Sequence, residues 1–290
     1  MEAFWIIVVG SLVAVSGGLL GAFLLLRNMA MVGDAISHAV LPGIAIAYLM
    51  AGTRETLPML LGAAAFGVLS TVFIEWLHRR AKLQADAAIG ITFTGLFAAG
   101  IILISLFAGR IDLDLDCVLF GEIAYVPIDL WITPAGNNLG PRAVWILGGL
   151  LLLILLWLRW GFKGLVITSF HPEYATTLGI SAAIWHYSLM SAVSLTSVLA
   201  FESVGAVLVV AFLIVPPATA FLLTDKLRTM LWLSVGLGIG AAIGGYCLAV
   251  WMNGSIAGAM SVVSGLLFVF ALLFSPKSGY FRRKRRITPV

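Results

Sequence analysis

Residues 31–43 read MVGDAISHAVLPG and place Asp34 and His38 four positions apart, between two apolar runs. On a helix this spacing puts a carboxylate and an imidazole on one face, one turn apart. An ionisable residue at membrane depth costs roughly 2.5–3.5 kcal/mol on insertion scales, so packing alone is a strained explanation. A carboxylate oxygen and an imidazole nitrogen suit Mn²⁺, Zn²⁺ or Fe²⁺, and the stretch lacks the thiolates that favour Cu(I). We therefore expect Asp34 and His38 to bind a divalent metal ion.

Two ligands from one helical turn form half a metal site at most. Water, a second subunit or a distant residue of the chain has to complete the coordination. The alternative is structural: Asp34 caps the helix and His38 satisfies a backbone group.

The composition is that of a membrane protein. Of 290 residues, 61% are hydrophobic and 10% are charged, whereas soluble domains carry about 25% charged residues. The mean hydropathy is +1.10 and the pI is near 9.3. The basic residues lie in short loops and a tail, which indicates membrane topology rather than nucleic-acid binding. Cys117 and Cys247 fit no metal or redox spacing.

The hydropathy pattern predicts an all-α polytopic membrane protein with eight or nine transmembrane helices. Two of the apolar spans, 35–50 and 143–158, are shorter than the about 20 residues that a crossing helix needs. Pro42 and Gly43 predict that the second span is broken or re-entrant. We expect one membrane domain, 1–274, and a basic cytoplasmic tail, 275–290. The apolar spans are 3–26, 35–50, 57–77, 88–108, 143–158, 183–201, 203–223, 229–250 and 255–274.

The distribution of Lys and Arg predicts the orientation, because short cytoplasmic loops are enriched in both. Alternation through nine spans places every basic cluster on the cytoplasmic side, with the N-terminus outside and the C-terminus inside. The connection 109–142 then lies outside, and its acidic residues outnumber its basic ones. The terminal FRRKRR predicts contact with anionic lipid. The basic clusters are Arg27; Arg79, Arg80 and Lys82; Arg159 and Lys163; Lys226 and Arg228; Lys277 and 282–286.

Glu202 lies at the junction of two apolar spans in FESVGAVLVVAFLIVPPATA. It is a weaker candidate for the metal pathway, and an exposed loop carboxylate is the alternative. The tandem Pro216 and Pro217 predict a broken or kinked helix after it.

The stretch 169–180 reads SFHPEYATTLGI. His171, Pro172 and Glu173 predict a turn into a short helix that ends near Gly179. Such a helix on the cytoplasmic side can dock a soluble partner, and a solvated loop is the alternative. His171 and Glu173 are not expected to bind metal, because i and i+2 do not share a helix face.

The remaining polar residues predict no second site. Glu75 and His78, next to Arg79 and Arg80, predict a surface salt-bridge cluster. His186 between Trp185 and Tyr187 is typical of an interfacial aromatic belt. The sequence has no phosphate loop, no H-E-x-x-H and no G-x-S-x-G, so we expect a transporter subunit that is not itself an enzyme.

Four stretches together resemble a known family: LLLRNMAMVGDAISHAVLPGIAIAYL, DAAIGITFTGLFAAGIILIS, SFHPEYATTLGI and FESVGAVLVVAFLIVPPATAFLLTDKL. With NGSIAGAM and LLFSPKSG they run from about residue 20 to 279. The chain resembles the membrane permease of ABC importers for manganese, zinc and iron, the partners of cluster A-I metal-binding proteins. Asp34 and His38 match the metal-coordinating pair of that family. Glu202 falls where members vary between Glu and Gln.

The resemblance implies a fold, partners and a cellular location. It implies the ABC importer permease fold in a bacterial inner membrane, with a second permease copy or close paralogue as dimer partner. Cytoplasmic ATP-binding subunits carry the ATP, and an extracytoplasmic metal-binding protein delivers the metal. No cofactor is bound permanently, since the divalent metal is cargo. The segment that contacts the ATPase comprises His171, Pro172, Glu173, Tyr174, Ala175, Leu178 and Gly179.

The expected function is import of a divalent metal, manganese before zinc or iron, by alternating access. A proton-coupled secondary carrier is the alternative, with Asp34 and His38 as its coupled site. An intramembrane enzyme is disfavoured, because no second catalytic carboxylate or nucleophile motif accompanies Asp34. Metal binding requires an ionised Asp34 and a deprotonated His38, so we expect uptake to weaken in acid.

Overall fold

The computed structural model describes residues 2–52, 56–107, 121–132 and 138–275. Within these ranges, nine helical segments are long and apolar enough to cross a membrane. The prediction of an all-α polytopic membrane protein is confirmed. The helices are α1 Glu2–Leu26, α2 Val32–Ala39, α3 Leu41–Ala51, α4 Thr56–Arg80, α5 Ala85–Leu106, α6 Arg142–Phe170, α7 Pro172–Thr177, α8 Ala182–Val204, α9 Ala206–Leu223, α10 Leu227–Met252 and α11 Ile256–Phe274.

The second span consists of α2 and α3, which are separated at Val40. Pro42 has no N–H to donate to the carbonyl of His38, so the helix cannot continue its hydrogen-bond ladder there. Pro42 instead lies in the first turn of α3, where a backbone N–H is not needed. The predicted break is therefore confirmed, two residues before Pro42.

Helix α6 is longer than predicted. The sequence predicts a span that ends at residue 158, but α6 continues to Phe170. Arg159 and Lys163 are exposed on this helix, and their long side chains can carry the charge away from the apolar surroundings. The predicted end of this span at residue 158 is therefore wrong, because the helix continues for twelve more residues.

Helix α9 contains both prolines of the tandem pair and runs on to Leu223. The helix does not break at Pro216 and Pro217, because it continues on both sides of them, and the kink that the sequence also allowed stays a prediction. The two prolines lack the N–H groups that would donate to the carbonyls of Phe212 and Leu213, and this loss does not end the helix.

The chain divides into two compact units. The first unit comprises Met1–Leu25, Glu122–Leu155 and Ser203–Val290. In it α9, α10 and α11 pack against one another. Strands β1 (Leu130–Ile132) and β2 (Asn138–Pro141) form an antiparallel pair, with Leu130 opposite Pro141.

The second unit comprises Leu26–Gly121 and Leu156–Glu202. In it α2 and α3 pack on α4 and α5. The backbones of α3 and α4 approach closely at Gly43 and Gly62, where a Cβ on Gly62 would lie 2.6 Å from the Cβ of Ala47. Such small-residue contacts are typical of membrane helices. The single domain and the basic tail stay predictions, and Asp112, Asp114, Asp116, Cys117 and residues 276–290 lie outside the described residues.

Candidate metal site

Asp34 and His38 lie one turn apart on α2, as predicted, and their side chains face each other. The distance from Asp34 Oδ1 to His38 Nε2 is 3.9 Å. This is too long for a hydrogen bond. An ion with ligand distances of about 2.1 Å to each atom can bridge a gap of up to about 4.2 Å. One divalent metal ion can therefore bind both atoms after small rotations of the two side chains.

Among the described residues, neither contact of the structural alternative for this pair is present. Asp34 is the third residue inside α2, and the N-cap is Met31, with no side chain accepting a capping hydrogen bond. The Nδ1 atom of His38 is buried and has no hydrogen-bond partner within the described residues. The carboxylate of Asp34 in the first turn is favoured by the helix dipole.

Two phenylalanines of α5 position the imidazole. The ring centroid of His38 lies 5.2 Å from that of Phe93 and 5.5 Å from that of Phe97, in tilted and edge-on geometry. Such geometry is the favoured one for aromatic rings in contact. Phe93 and Phe97 are four residues apart in the sequence, so their shared face was predictable, but their contact with His38 was not.

The metal pair lies near the middle of the helices that surround it. At 1.5 Å per residue, Phe93 is about 12 Å from the beginning of α5 and Phe97 is about 14 Å from its end. Ile36 of α2 lies beside Gly67, near the middle of α4. Asp34 and His38 therefore lie beside the middle of α4 and α5 in this unit.

The site is open on one side. The side chain of His38 is 35% exposed and that of Asp34 is 41% exposed. Within the described residues there is no group of three or more His, Cys, Asp and Glu that could hold a metal ion. The pair therefore presents two ligands from this part of the chain and leaves room for others.

Glu202 is not brought to the pair. It is exposed near the end of α8. Ser194 of the same helix lies beside Gly67 at the depth of α2, and Glu202 is about 12 Å further along the helix axis.

The predicted short helix after α6 is confirmed as α7, with Pro172 at its first position. Gly179 has a φ of +74°, and the helix ends in paired hydrogen bonds, from the N–H of Gly179 to the carbonyl of Thr176 and from Ile180 to Ala175. This is the Schellman arrangement, in which the residue just after the helix has a positive φ, a conformation that favours glycine. Ala175 is fully buried, whereas Tyr174 and Leu178 are 59% and 52% exposed. The seven residues that are predicted to contact the ATPase thus lie together on α7 and at its two ends.

Glu75 does not belong to a surface salt-bridge cluster, so that prediction is wrong. It is 7% exposed. Its Oε2 atom lies 2.7 Å from Nε2 of His186, and its Oε1 atom pairs with Arg79 of the same helix. His186 was predicted to belong to an aromatic belt. The two residues are more than a hundred positions apart, and no local sequence pattern links them.

Arg27 extends this group of polar contacts to the end of α6. Its Nε donates to Ser169 Oγ and its terminal nitrogen to Thr168 Oγ1, both at 3.0 Å. A second terminal nitrogen lies 3.5 Å from Nδ1 of His186. Burial lowers the pKa of the Arg27 guanidinium, and the carboxylate of Glu75 raises it in part. Arginine nevertheless stays charged in proteins.

The chain is similar to several known proteins along almost its full length. It is 48% identical to the manganese transport system membrane protein MntD of Bacillus subtilis (strain 168) over 282 residues, which cover 97% of this chain and 95% of that protein. It is 44% identical to the zinc transport system membrane protein TroD of Treponema pallidum (strain Nichols) over 278 residues, which cover 96% of this chain and 75% of that protein.

The fold is also similar to a solved structure. PsaBC from Streptococcus pneumoniae in complex with Fab matches with a TM-score of 0.76 and 33% sequence identity, over 97% of this chain and 94% of that chain. The family model described as the ABC 3 transport family matches residues 2–275. The expected permease fold and the multi-pass location in the cell membrane are confirmed. The chain belongs to the ABC 3 transport family.

Proposed function

We propose that this chain is the membrane permease of an ATP-driven importer of divalent metal ions and that Asp34 and His38 bind the metal in transit. The observation that carries the proposal is the 3.9 Å distance between a carboxylate oxygen and an imidazole nitrogen on one face of α2. This distance is too long for a hydrogen bond between the two side chains. It is short enough for one metal ion to bind both atoms.

Manganese is the first candidate for the cargo, and zinc and iron are the others. The relatives MntD and TroD are named for manganese and zinc, and oxygen and nitrogen donors suit all three metals. The intrinsic affinity order favours zinc over manganese, so selection of manganese requires geometry or metal delivery rather than ligand strength. The proposed extracytoplasmic metal-binding protein supplies that delivery.

A second copy of the chain, or a close paralogue, completes the metal site in this proposal. The half-exposed side chains of Asp34 and His38 leave coordination positions open. A partner permease that faces them with its own pair would bring the protein ligands to four, the number that a closed zinc-type site uses. Open positions filled by water would suit transient binding during transport.

Helix α7 is proposed to contact a cytoplasmic ATP-binding subunit. The chain has no phosphate loop, so the ATP has to bind to that subunit. Tyr174 of α7 and Leu178 at its end are exposed apolar side chains, while Ala175 on the same helix is buried. ATP-driven movement of α7 would then expose the metal pair to one side of the membrane at a time.

Substitution of the metal pair tests the proposed site. Asp34→Ala and His38→Ala should each abolish most Mn²⁺ uptake in cells that depend on this importer, because one remaining ligand per chain holds the ion weakly. Mn²⁺ binding to the purified protein should fall in parallel. Asp86→Ala, which removes an exposed carboxylate from the first turn of α5, is the control. Uptake at the wild-type level in the double variant Asp34→Ala with His38→Ala would show that the site is assigned wrongly.

Substitution on α7 tests the proposed docking. Tyr174→Ala with Leu178→Ala should reduce co-purification of the ATP-binding subunit, because a few buried aromatic and aliphatic anchors supply most interface energy. Tyr125→Ala removes an equally exposed tyrosine far from α7 in the sequence and serves as control. Undiminished co-purification of the subunit with the α7 variant would contradict the docking role.

A further inference from the structure

We propose that a partly buried polar joint, formed by Arg27, Glu75, Thr168, Ser169 and His186, transmits movement of α7 to the helix that carries the metal pair. The inference rests on the proposed function, in which α7 contacts the ATP-binding subunit. It adds named positioning residues to that function. None of them touches the metal.

The joint contacts the chain on both sides of α7. Before α7, the last turn of α6 carries Thr168 and Ser169, and both hydroxyls accept hydrogen bonds from Arg27 at 3.0 Å. After α7, the first turns of α8 carry His186, whose Nε2 lies 2.7 Å from the carboxylate of Glu75. A displacement of α7 therefore moves Arg27 through its contacts with the end of α6, and it moves Glu75 through the contact with His186 at the beginning of α8.

Arg27 and Glu75 are each connected to the metal pair through a short part of the structure. Arg27 precedes the first residue of α2 by five positions and Asp34 by seven. Glu75 lies on α4 about two turns from Gly67. Gly67 lies beside Ile36, which stands between Asp34 and His38 in the sequence. A rigid helix conveys displacement along its axis, so movement of Glu75 reaches Ile36 through α4.

The contacts within the joint form a chain of donors and acceptors. Arg27 approaches Nδ1 of His186 at 3.5 Å, while Nε2 of the same ring faces Glu75. A neutral imidazole protonated on Nε2 accepts from Arg27 and donates to Glu75, and both ring nitrogens are then satisfied. Buried polar groups of this kind are expensive to leave unpaired, so the members tend to move together.

The surroundings of the joint leave space for movement. A cavity of about 570 Å³ lies between the helix ends and is lined by members of the joint together with Asn28, Met29, Ile74 and Pro172. Close apolar packing would fix these ends in one arrangement. Polar contacts around a cavity keep the ends linked while they shift.

A second metal site is a poorer account of the same residues. Both oxygens of Glu75 are engaged, one by His186 and the other by Arg79. The two nearby guanidinium groups of Arg27 and Arg79 would repel a divalent cation. The residues are therefore arranged to hold helices together rather than to hold an ion.

The test measures coupling separately from metal binding. The complete importer, with its ATP-binding subunits and metal-binding protein, is reconstituted in liposomes, and Mn²⁺ uptake and ATP hydrolysis are measured on the same preparation. His186→Ala and Glu75→Ala should lower the Mn²⁺ imported per ATP by about tenfold, the scale of a coupling network. The affinity of the permease for Mn²⁺ should stay within about twofold of wild type, because the joint does not contact the metal.

Three comparisons distinguish a joint from a merely structural cluster. His186→Gln retains an N–H that can donate to Glu75 and should restore most of the imported metal per ATP. The double variant Glu75→Ala with His186→Ala should be no worse than either single variant, since the two residues act as one unit. Arg79→Ala removes an ion pair confined to α4 but leaves the contact between Glu75 and His186 in place, so it should leave coupling within about twofold of wild type.

The proposal is overturned if imported metal per ATP is unchanged in the alanine variants or if Arg79→Ala lowers it as much as His186→Ala does. A parallel loss of assembled complex, ATP hydrolysis and uptake would reduce the cluster to a structural role and also overturn it. If the alanine variants do not assemble, the Mn²⁺ imported per ATP by Glu75→Gln and His186→Gln tests the proposal instead. Failure of wild-type import, or unaltered Mn²⁺ binding in the Asp34 and His38 variants, would instead refute the proposed function.

Discussion

Gly67 determines how closely α2 approaches α4 and α8. A Cβ placed there would overlap Ser194 Oγ and would lie 3.4 Å from Cγ2 of Ile36. Ser194 Oγ is itself buried without a hydrogen-bond partner in the described residues. The metal ligands flank Ile36 by two positions on either side. Single atoms at this crossing therefore affect the position of the metal pair.

We predict that Gly67→Ala destabilises the purified protein by about 1–3 kcal/mol, the usual cost of overpacking. Adding Ser194→Ala should recover most of the loss, because it removes the overlapping hydroxyl, which makes no hydrogen bond within the described residues. Thermal unfolding in detergent measures both. Gly90→Ala, on α5 in open space, is the matched control and should not destabilise. A double variant as unstable as Gly67→Ala would contradict the packing account.

The sequence predicts Asp34 and His38 as a candidate metal pair but not the residues that surround them. Asp34 and His38 are predictable because ionisable residues are expensive at membrane depth. Glu75 is equally expensive, yet it was placed on the surface because Arg79 and Arg80 follow it. Its true partner, His186, lies on a helix formed much later in the chain. Pairing of this kind depends on tertiary packing, which short-range spacing does not encode.

The break between α2 and α3 determines the orientation of the metal helix. Pro42 withholds the N–H that the carbonyl of His38 would accept in a continuous helix. The same residue lies in the first turn of α3, whose Leu41 and Ala45 enter a buried cluster with Ile104. The break therefore allows α2 and α3 to take different directions while both remain packed on α5.

We predict that Pro42→Ala weakens Mn²⁺ binding without loss of stability. The restored N–H can bond to His38 and extend α2, which would turn the imidazole away from Asp34. Pro42 lies in the first turn of α3, where proline is tolerated, so its removal should leave the thermal midpoint nearly unchanged. Calorimetric Mn²⁺ titration measures the affinity.

Pro58→Ala is the control for this change, because Pro58 lies in the first turn of α4, where proline is tolerated. Equal affinities in the Pro42 and Pro58 variants would show that the break does not orient the ligands.

Element boundaries were predicted best where hydrophobicity alone defines them. Helices α10 and α11 begin and end within two residues of the predicted spans. The hydropathy pattern ends α6 twelve residues too early, because Arg159 and Lys163 interrupt the apolar run while the helix continues to Phe170. Helix α7 was predicted correctly because proline and glycine mark its two ends.

For the whole molecule, the source of energy separates the proposed importer from a proton-coupled carrier. Membership of the ABC 3 transport family favours ATP. We predict that liposomes containing only the purified chain take up no Mn²⁺ when a pH gradient is imposed. Uptake should require the ATP-binding subunits and ATP inside the reconstituted system.

Hydrolysis-defective ATP-binding subunits are the control for this experiment, and they should give no sustained uptake despite normal assembly. Uptake by the chain alone that collapses when the pH gradient is dissipated would establish the carrier instead.

The Glu75 ion pair has a consequence for biosynthesis. Helix α4 is made and inserted before His186 exists, since His186 follows Glu75 by more than a hundred residues. At about 5–20 residues per second, the ribosome takes roughly 5–20 s to reach it. During this interval Arg79, on the same helix, is the counter-ion already at hand for the nascent carboxylate. Arg79 thus favours correct insertion of α4, and its loss should lower the yield of new protein more than the performance of mature protein.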